Sequence, residues 1–500
     1  MLNIVEGNIK AITNFSDEQL QKMKDDLTLE NPKYKQAKKY SKWNNTKIPQ
    51  YLYFYSFNKK TQTLYVPIGY KPPFAYKIVE DVRQEVNVSY PPICVKLRDT
   101  QLEAYNSYID DPSKGLICMP TGKGKSILGI YLAYRLKQRA LIIVHKDDLV
   151  VGWRKDIKMC FDNNIEVGLI KAKSRKIGEQ ITIATVQTLN RLTPEEKEDL
   201  STKFGMIIID ECHHCPSSTY GIIENFYSPY KIGLSATPER KDGLTKIMNY
   251  YLGDFAYKFE YTTNDQDILP VDIIRKTSPV VIMPMIKKHI DSKGRTHYEL
   301  SKDGDIPITD IPLDKRPRIL FSDLDNQVVR DPKYTKMYIT DIVKEYKEGH
   351  SILVLVRLKD HCRYIKEQLE KEIPEDNIQL YYGDSKEPRE VLMKRAEDNR
   401  NLVTIATLSV ATEGTNVKQW EVEFLISSIN DGKNVEQAIG RIRRITDKPK
   451  LDRVRVYDYR QNNVYSMASH AYTRDARYRK LKLEGESTEK KTFFSRGYKR

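Results

Sequence analysis

Short apolar runs alternate with stretches of helical periodicity between about residues 95 and 258. The runs have the length of strands buried on both faces, and helical spacing of apolar positions follows them, as in residues 127–136. The runs occupy residues 116–118, 140–144, 181–184, 206–209 and 232–234. This alternation predicts a parallel β-sheet wrapped by helices.

A second set with the same pattern begins at residue 352. Its apolar runs occupy residues 352–356, 379–381, 402–405, 424–426 and 454–457. Between the two sets lies a segment in which residues 291–295 resemble a hairpin tip. Two such sets in series predict an α/β fold with two similar parallel-sheet domains in tandem.

The first hundred residues follow a different pattern. Residues 1–30 are expected to form a capped helix, because apolar residues recur at helical spacing after Ser16. Aromatic residues alternate over residues 51–57, which predicts one face of a strand packed on a core, and residues 64–69 predict a second strand. We therefore expect a small α+β accessory domain at the N-terminus.

Residues 31–60 combine eight lysines and eight aromatic residues with no acidic residue. Basic and aromatic side chains interleaved in this way can hold backbone phosphates and stack on bases. The lysines of this window are therefore candidates for contact with nucleic acid, whereas the alternating aromatic residues are expected in the core.

The charge of the whole chain agrees with a nucleic-acid partner. A formal net charge of +15 on 500 residues indicates a polyanionic partner, with a basic surface kept for solubility as the alternative. Six cysteines without regular spacing indicate reduced thiols inside a cell. The N-terminus lacks a secretion-signal pattern, and no apolar run is long enough to span a membrane.

The stretch Cys-Met-Pro-Thr-Gly-Lys-Gly-Lys-Ser at residues 118–126 follows an apolar run and precedes a helical one. Backbone N–H groups around Gly122 and Gly124 would receive phosphate oxygens at the helix N-terminus, where the dipole favours anions. Lys125 would reach the outer phosphates and Ser126 would hold Mg²⁺. Met119 stands where the general pattern has glycine, and an ordinary turn is the alternative.

Two adjacent carboxylates, Asp210 and Glu211, follow the apolar run 206–209. The carboxyl end of a buried strand is where α/β sheets place their sites. Asp210 would bind Mg²⁺ through its water shell, and Glu211 would polarise an attacking water. A helix cap is the simpler interpretation of an isolated Asp-Glu pair. The position of Asp210 and Glu211 after the phosphate loop favours a nucleotide site.

The cysteines and histidines of Cys212-His213-His214-Cys215 are spaced as zinc ligands could be. A structural zinc site needs a second ligand pair, and none stands at ligand distance in the sequence. Cys212 and His213 are therefore assigned to the nucleotide motif.

Together these segments resemble superfamily 2 helicases, in the branch that contains XPB and phage branch-migration helicases such as UvsW. The resemblance covers about residues 95–460 and rests on ordered motifs. They are Leu-Arg-Asp-Thr-Gln-Leu-Glu-Ala at 97–104, the phosphate loop at 119–126, residues 141–153 with Trp153, Ile-Thr-Ile-Ala-Thr-Val-Gln-Thr-Leu at 181–189, Asp-Glu-Cys-His at 210–213, Gly-Leu-Ser-Ala-Thr-Pro at 233–238, residues 352–361, residues 406–417, and Gln-Ala-Ile-Gly-Arg-Ile-Arg-Arg at 437–444.

Two of these motifs depart from the family pattern. His145-Lys146 stands in place of the common Pro-Thr, which leaves the DNA contact of that motif open. Asn416 stands where an Asp is usual, so that hydrogen bonding is kept but the charge is lost. Met119 is an ordinary variation within this superfamily.

The resemblance implies a role for each motif residue, carried over position by position. Nucleotide contacts are expected from Gln101 at the adenine and from Thr121, Gly122, Lys123, Gly124, Lys125, Ser126 and Gly414. Catalysis is expected from Lys125, Asp210, Glu211, Gln437, Arg441 and Arg444, the last two as arginine fingers, with Mg²⁺ held by Ser126 and Asp210. DNA contacts are expected from Thr185, Gln187, Thr407 and Ser409, and coupling between ATP and DNA from His213, Ser235 and Thr237.

The resemblance also implies the domain organisation. We expect an accessory domain that binds DNA at residues 1–92, a first RecA-like domain that binds ATP at 93–262, and a second RecA-like domain at 263–465. Residues 466–500 are expected to be a basic tail that begins as a helix.

These predictions describe an ATP- and Mg²⁺-dependent motor in the cytoplasm, which would be the host cytoplasm for a phage-encoded protein. We expect a DNA helicase or translocase that remodels branched DNA in recombination, repair or replication. Its contacts to single-stranded or branched DNA would be mostly to phosphates, with little sequence preference. An RNA helicase or a restriction-type translocase is the alternative within the class. A nucleotide-switched DNA clamp with low turnover is the alternative from another class.

Overall fold

The computed structural model describes residues 1–40, 48–120, 122–214, 221–237, 244–260, 268–290, 296–301, 303–312, 315–385, 387–412, 417–446 and 451–483. The chain divides into two compact units, Met1–Glu260 and Tyr261–Arg500. Each unit is built on a large sheet, and the first unit also carries the N-terminal sheet.

The N-terminal residues form a five-stranded sheet in the order β5-β6-β2-β1-β7 and a separate two-stranded antiparallel sheet of β3 and β4. The strands are β1 (Leu2–Glu6), β2 (Ile9–Thr13), β3 (Thr28–Glu30), β4 (Tyr51–Tyr53), β5 (Ser56–Asn58), β6 (Thr63–Pro67) and β7 (Tyr76–Asp81). The helices are α1 (Asp17–Asp26) and α2 (Pro32–Tyr40). This confirms the α+β character of the region, including a strand near residues 64–69.

The prediction of a helix across residues 1–30 is correct only for α1. A capping box starts that helix, in which Ser16 and Gln19 each accept a hydrogen bond from the backbone N–H of the other. Strands β1 and β2 precede it, and their residues alternate between buried and half-buried positions at the strand period of two. The alternation covers only five residues in each strand, and the helical spacing after Ser16 is a stronger signal. The sequence therefore did not reveal the two strands.

The expected single core strand at residues 51–57 is also wrong. The chain breaks between β4 and β5, and Tyr53 is 61% exposed while Tyr55 and Phe57 pack partly against the core. Strand β4 pairs only with β3 and lies outside the five-stranded sheet. Tyr51 and Tyr53 therefore present aromatic surface to solvent.

An eight-stranded sheet forms the centre of the first unit, in the order β11-β10-β12-β9-β13-β14-β8-β15. Its strands are β8 (Leu116–Cys118), β9 (Ala140–Val144), β10 (Gly168–Lys171), β11 (Ser174–Lys176), β12 (Ile181–Thr185), β13 (Met206–Ile209), β14 (Tyr230–Ser235) and β15 (Phe255–Lys258). Its helices are α3 (Asp99–Asp110), α4 (Lys125–Leu136), α5 (Asp147–Cys160), α6 (Val186–Asn190), α7 (Pro194–Leu200) and α8 (Thr245–Leu252). All pairings are parallel except that of β10 with β11, so the carboxyl ends of seven strands meet at one edge.

The N-terminal sheet and one face of the large sheet share a hydrophobic core. Leu2, Ile4 and Leu64 belong to the same cluster as Tyr250 and Leu252. The Tyr250 hydroxyl donates to the Asp26 carbonyl oxygen across this contact. The boundary between residues 92 and 93 stays a prediction, and it divides a packed unit.

The second unit is built on a six-stranded parallel sheet in the order β16-β24-β23-β20-β22-β21. Its strands are β16 (Val271–Thr277), β20 (Ile352–Val356), β21 (Ile378–Tyr381), β22 (Val403–Thr407), β23 (Val422–Leu425) and β24 (Val454–Arg460). Its helices are α9 (Phe321–Val329), α10 (Pro332–Lys347), α11 (Lys359–Leu369), α12 (Arg389–Asp398), α13 (Leu408–Thr412), α14 (Gly432–Ile442) and α15 (Ala468–Lys480). The tandem α/β fold is thus confirmed.

A three-stranded sheet, in the order β18-β17-β19, lies between β16 and α9 in the chain. Its strands are β17 (Met285–Ile290), β18 (Thr296–Leu300) and β19 (Ile306–Pro307). Strands β17 and β18 are antiparallel neighbours, whereas the predicted hairpin tip at 291–295 lies outside the described residues. Among the residues that the structure describes, no helix combines the length and the apolar character that a membrane span requires.

Candidate nucleotide-binding site

The predicted phosphate loop lies between the end of β8 and the start of α4. Gly122 and Gly124 have φ values of 91° and 75°, in the left-handed region that favours glycine. Helix α4 begins directly after Gly124, so the loop leads into a helix N-terminus, where free N–H groups and the dipole favour an anion. Thr121 lies outside the described residues.

Gln101 on α3 is hydrogen-bonded to this loop. Its Nε2 donates to the Gly124 carbonyl oxygen at 2.9 Å, and its Oε1 accepts from the Arg98 backbone N–H at 2.8 Å. A Cβ on Gly124 would lie 2.3 Å from the Gln101 Nε2. Gln101 thus supports the loop in this structure, and its contact with adenine stays a prediction.

Lys125 is buried at the start of α4 and points into the loop. Its Nζ donates to the Met119 carbonyl oxygen at 3.1 Å and lies 3.7 Å from the Glu211 Oε1. A second loop carbonyl, that of Pro120, accepts at 3.5 Å. The ammonium group therefore rests on oxygen acceptors of the loop beside the second carboxylate.

Asp210 and Glu211 follow β13 at the carboxyl edge of the sheet. The Trp153 Nε1 donates to the Asp210 Oδ2 at 2.8 Å, and the Glu211 backbone N–H donates to the Asp210 Oδ1 at 2.9 Å. Burial, with the adjacent Glu211 charge, raises the pKa of Asp210 to about 6, while Trp153 and Lys125 act in the opposite direction. Asp210 is therefore held in one orientation by two donors.

A chain of contacts leads from Glu211 to the Ser-Ala-Thr motif after β14. The Glu211 Oε2 lies 3.4 Å from the His213 Nδ1, which lies 2.8 Å from the Ser235 Oγ. The Ser235 Oγ donates to the Thr237 carbonyl oxygen at 2.5 Å and accepts from the Thr237 N–H at 3.0 Å. Among the three predicted coupling residues, His213 thus contacts Glu211 directly, and Ser235 and Thr237 are linked to it in sequence through His213.

The Cys-His cluster is divided among different environments. The Cys212 Sγ is buried 4.0 Å from the Met248 Sδ, and His213 faces Ser235. Cys215 and the side chain of His214 lie outside the described part of the chain. Cys212 therefore packs in the core, His213 contacts the Ser-Ala-Thr motif, and the assignment of both residues to the nucleotide motif stays a prediction.

Two predicted DNA contacts flank the end of β12. Thr185 is buried, with its Oγ1 2.9 Å from that of Thr188, whereas Gln187 is exposed and donates from its Nε2 to the His145 carbonyl oxygen at 2.8 Å. In the second unit, Thr407 ends β22 and the exposed Ser409 lies on α13. The two units repeat the same strand-to-helix arrangement at these positions.

Gln437 and Arg441 lie on α14 and are both buried, whereas Arg444 lies beyond the end of the helix in a bridge with Ile268. Arg389, at the start of α12, was not singled out in the sequence. Burial lowers the pKa of Arg389 to about 10, and the charge of Arg441 adds to this effect. Gly414 lies outside the described residues.

Phe259 is a second residue that the motifs did not reveal. Its ring lies under the ammonium group of Lys123, 5.0 Å from the Nζ, and its backbone N–H donates to the Cys118 carbonyl oxygen at 2.8 Å. Lys123 is fully buried by this arrangement, so its side chain supports the loop from inside. No periodicity signal identifies such a contact, because the partners are 136 residues apart.

Comparison with known proteins agrees with the motif order. Residues 94–240 match the family model "Type III restriction enzyme, res subunit", and residues 335–446 match "Helicase conserved C-terminal domain". The "DNA 3'-5' translocase XPB2" of Sulfurisphaera tokodaii is 26% identical over 71% of this chain and 80% of its own length. The "Probable helicase D10" of Escherichia phage T5 is 27% identical over 75% of this chain and 74% of its own length.

Among solved structures, a fragment assigned to the HsdR subunit of a type I restriction enzyme from Vibrio vulnificus matches this fold. The match has a TM-score of 0.50 and 18% identity, and it covers 76% of this chain and 66% of that one. At this identity the likeness concerns the fold alone.

Proposed function

The chain belongs to the superfamily 2 helicases, in the branch of XPB and the phage helicases, and we propose that it remodels branched DNA. As a member of this family it is an ATP-hydrolysing DNA helicase. The finer role proposed is the unwinding or branch migration of forks and junctions in recombination, repair or replication.

One observation carries this proposal. Lys125, Asp210 and Glu211 meet at the carboxyl edge of the sheet, and Glu211 continues through His213 to Ser235. A site that only binds phosphate would need the loop but not these contacts from Glu211 to Ser235. The continuous contact toward the Ser-Ala-Thr motif supports a site whose state is passed on to other parts of the protein.

The residues of the loop fit a nucleotide with its magnesium ion. We assign the Gly122–Ser126 backbone and the Lys125 ammonium group to the phosphates, and Gln101 to the base. The Ser126 hydroxyl and the Asp210 carboxylate are hard oxygen donors of the kind that Mg²⁺ prefers. A bound Mg²⁺ would neutralise charge that develops on the phosphates.

The chain supplies groups for the hydrolytic step itself. We assign Glu211 to orienting and polarising the attacking water, since its carboxylate lies beside Lys125 and is only partly buried. Gln437, Arg441 and Arg444 are assigned to stabilising charge at the γ-phosphate, on their spacing in the family motif. Arginines in this role are worth about 10³–10⁵ in rate.

DNA contacts are proposed at Thr185, Gln187, Thr407 and Ser409. Hydroxyl and amide groups at these strand ends suit phosphate oxygens and carry no base information. Binding to single-stranded or branched DNA should accordingly show little sequence preference and a strong dependence on salt.

ATPase rates separate the proposed function from its alternatives. The full-length protein is assayed alone and with single-stranded DNA, forked DNA and RNA. We expect DNA to stimulate turnover, and forked DNA to do so at least as well as single strands. Stronger stimulation by RNA would indicate an RNA helicase, and no stimulation by any nucleic acid would favour a DNA clamp.

Unwinding assays test the branched-DNA role directly. The substrates are a fork, a Holliday junction, a displacement loop and a simple tailed duplex. Faster ATP-dependent remodelling of the branched substrates supports the proposal, whereas activity on the tailed duplex alone contradicts it. Movement along duplex DNA without strand separation would instead indicate a restriction-type translocase.

A further inference from the structure

Helix α15 follows the last strand of the second sheet and packs beside α14, the helix that carries Gln437 and Arg441. Tyr478 of α15 belongs to the same hydrophobic cluster as Val435 and Ile439 of α14. The basic residues of this region are therefore not all on the surface, and two of its arginines make contacts inside the second unit.

One face of α15 lies against the loop that leads from β23 into α14. The His470 Nδ1 lies 2.8 Å from the Ser428 Oγ, and the Thr473 Oγ1 donates to the Asn430 Oδ1 at 3.1 Å. The contacting residues of α15 recur at positions i, i+3, i+4 and i+7, which places them on one side of the helix. We name them the contact stripe: His470, Thr473, Arg474 and Arg477.

Arg474 is the buried centre of the contact stripe, with 1% of its side chain exposed. Its Nε donates to the Asp458 Oδ1 on β24 at 2.8 Å, and its Nη1 donates to the Ile429 carbonyl oxygen at 3.0 Å. Its Nη2 donates to the Tyr459 carbonyl oxygen at 3.3 Å. The planar guanidinium group presents its donors in a fixed fork, so one side chain fixes the loop before α14 to the neighbouring strand.

Arg477 contacts α14 itself. Its guanidinium group forms an ion pair with Glu436, and the two side chains are only 13% and 8% exposed. Its stem lies over the first turn of α14, where a Cβ added to Gly432 would lie 3.4 Å from the Arg477 Cβ. Glu436 directly precedes Gln437 and stands five residues before Arg441. Because the residues of one helix turn together about its axis, this ion pair restrains the direction of both side chains.

The other restraint on α14 is apolar. Val435 and Ile442 share a hydrophobic cluster with Leu425 at the end of β23. Hydrophobic contact is non-directional, so it holds a helix against a sheet without fixing its rotation closely. Charge-assisted hydrogen bonds add geometric specificity. The contact stripe therefore supplies the directional restraint on α14.

We propose that the contact stripe positions α14 for catalysis, with Arg474 and Arg477 as positioning residues. They act through Gln437 and Arg441, so the proposal rests on the proposed function, in which these two residues stabilise charge at the γ-phosphate. A displacement of about 1 Å in a reacting group can cost about 100-fold in rate. Loss of the contact stripe should therefore slow turnover, while ATP binding, which is assigned to the phosphate loop, is retained.

Steady-state ATPase kinetics of the full-length protein with single-stranded DNA test the ion pair. Arg477→Met keeps the stem and removes the charge, and Glu436→Gln removes the opposite charge at nearly the same shape. Each should lower kcat about tenfold and change KM for ATP by less than about twofold. The double variant should lose no more than either single variant, because both changes remove the same contact. Arg477→Lys keeps the charge and should recover part of the loss.

A transition-state analogue separates positioning from a general loss of structure. ADP with aluminium fluoride mimics the phosphoryl group in transfer, so its affinity should fall with kcat, by about tenfold, in Arg477→Met and Glu436→Gln. The affinity for a fluorescent ATP analogue should stay at the wild-type value in both variants.

Two control variants accompany these measurements. Arg479→Met removes the same charge from an exposed position of α15, where the side chain forms no ion pair with any residue that the structure describes, and should keep wild-type kinetics. Lys276→Met breaks the ion pair of Lys276 with Asp341, which is 2.6 Å long and includes no residue of α14 or α15. This second variant should lower the melting temperature without changing kcat.

The outcomes distinguish failure of this inference from failure of the proposed function. If DNA stimulates the wild-type ATPase and both charge-removing variants keep its kcat, the contact stripe does not position α14 and the helicase stands. A loss of kcat matched by equal losses of ATP affinity and melting temperature would show a purely structural role and would also overturn the inference. Should Arg477→Met fail to fold, the milder Glu436→Gln decides between these results. If wild type does not hydrolyse ATP with or without DNA, the proposed function fails and the inference fails with it.

Discussion

Single side chains set the charge and the orientation of Asp210 and Glu211, the two carboxylates of the proposed nucleotide site. Asp210 is buried beside Glu211, an arrangement that disfavours its charge, and Trp153 compensates with a hydrogen bond from its indole N–H. Lys125 adds a positive charge on the other side. The two carboxylates thus depend on one neutral donor, Trp153 on α5, and on one positively charged group, Lys125 on α4.

Trp153→Phe should slow ATP hydrolysis while leaving the fold intact. A hydrogen bond to a charged group contributes about 1.5–3 kcal/mol, which corresponds to roughly a 10- to 100-fold loss in kcat/KM. Steady-state ATPase kinetics, together with thermal unfolding, measure the effect. Trp420→Phe is the control, since Trp420 is buried and its Nε1 has no hydrogen-bond partner among the described residues. Equal kinetics for both variants would contradict the role of Trp153.

Lys125→Ala and Glu211→Gln should abolish turnover and leave DNA binding largely intact. Lys125 is buried in the phosphate loop and Glu211 contacts it, whereas the proposed DNA contacts lie at or just after the ends of β12 and β22. ATPase assays and oligonucleotide binding are measured on the same preparations. Loss of DNA binding in both variants, with the fold preserved, would refute this separation of roles.

Glu423→Gln should stabilise the second unit at high pH. Burial raises the pKa of Glu423 to about 8, and neither carboxylate oxygen has a hydrogen-bond partner among the described residues. The folded state keeps the carboxyl protonated while the unfolded chain ionises near 4.5, so stability is lost as pH rises from 4.5 to 8.

Denaturant unfolding of the two proteins at pH 5 and pH 8 measures this effect. At about 1.4 kcal/mol per pH unit, the advantage of Glu423→Gln over wild type should grow by about 3 kcal/mol across the interval. A difference that does not change with pH would show that Glu423 ionises freely in the folded protein.

Among the elements, the phosphate loop depends most on its exact backbone. Gly124 combines a positive φ with close contact to Gln101, and it is also the N-cap residue of the helix that follows. The loop is therefore held by α3 as well as by its own turn.

Gly124→Ala should weaken ATP binding through the loop alone. The left-handed conformation costs a non-glycine residue about 1–2 kcal/mol, and the new Cβ would displace the Gln101 amide. Titration with a fluorescent ATP analogue should show at least tenfold weaker binding. The control is Gly152→Ala on α5, where the added methyl group meets nothing within 4 Å and should be neutral or slightly stabilising. Unchanged ATP affinity for Gly124→Ala would argue against this loop as the phosphate site.

For the molecule as a whole, the N-terminal sheet is part of the first unit's core. Tyr250 and Leu252 on α8 share a cluster with Leu2 and Ile4, so removing the N-terminus would expose a large apolar face. The accessory region thus has a structural role beside any contact with DNA.

A fragment of residues 1–260 should fold as one cooperative unit, whereas residues 93–260 should be unstable or aggregate. The reason is the shared core, since exposing apolar surface costs about 25 cal/mol per Å². Thermal unfolding and size-exclusion chromatography of the two fragments check this. Equal melting temperatures would show that the N-terminal region is an independent domain.

The apolar pattern and the ordered motifs were enough to predict the tandem parallel sheets, most of their strands, and the roles expected of Lys125, Asp210 and Glu211. These signals are local: a buried strand reads as a continuous apolar run, and a phosphate loop is a contiguous stretch of chain. The weak alternation of β1 and β2 was missed because it is short and lies beside a strong helix signal.

Contacts between distant segments were decided only by the tertiary structure. The hydrogen bond of Trp153 to Asp210, the support of Lys123 by Phe259, and the link between Ala172 and Thr188 join positions 57, 136 and 16 residues apart. Periodicity carries no information on such pairs, because they depend on which strands become neighbours in the sheet. The same packing raised the pKa of Asp210, because it buried this carboxyl group beside Glu211.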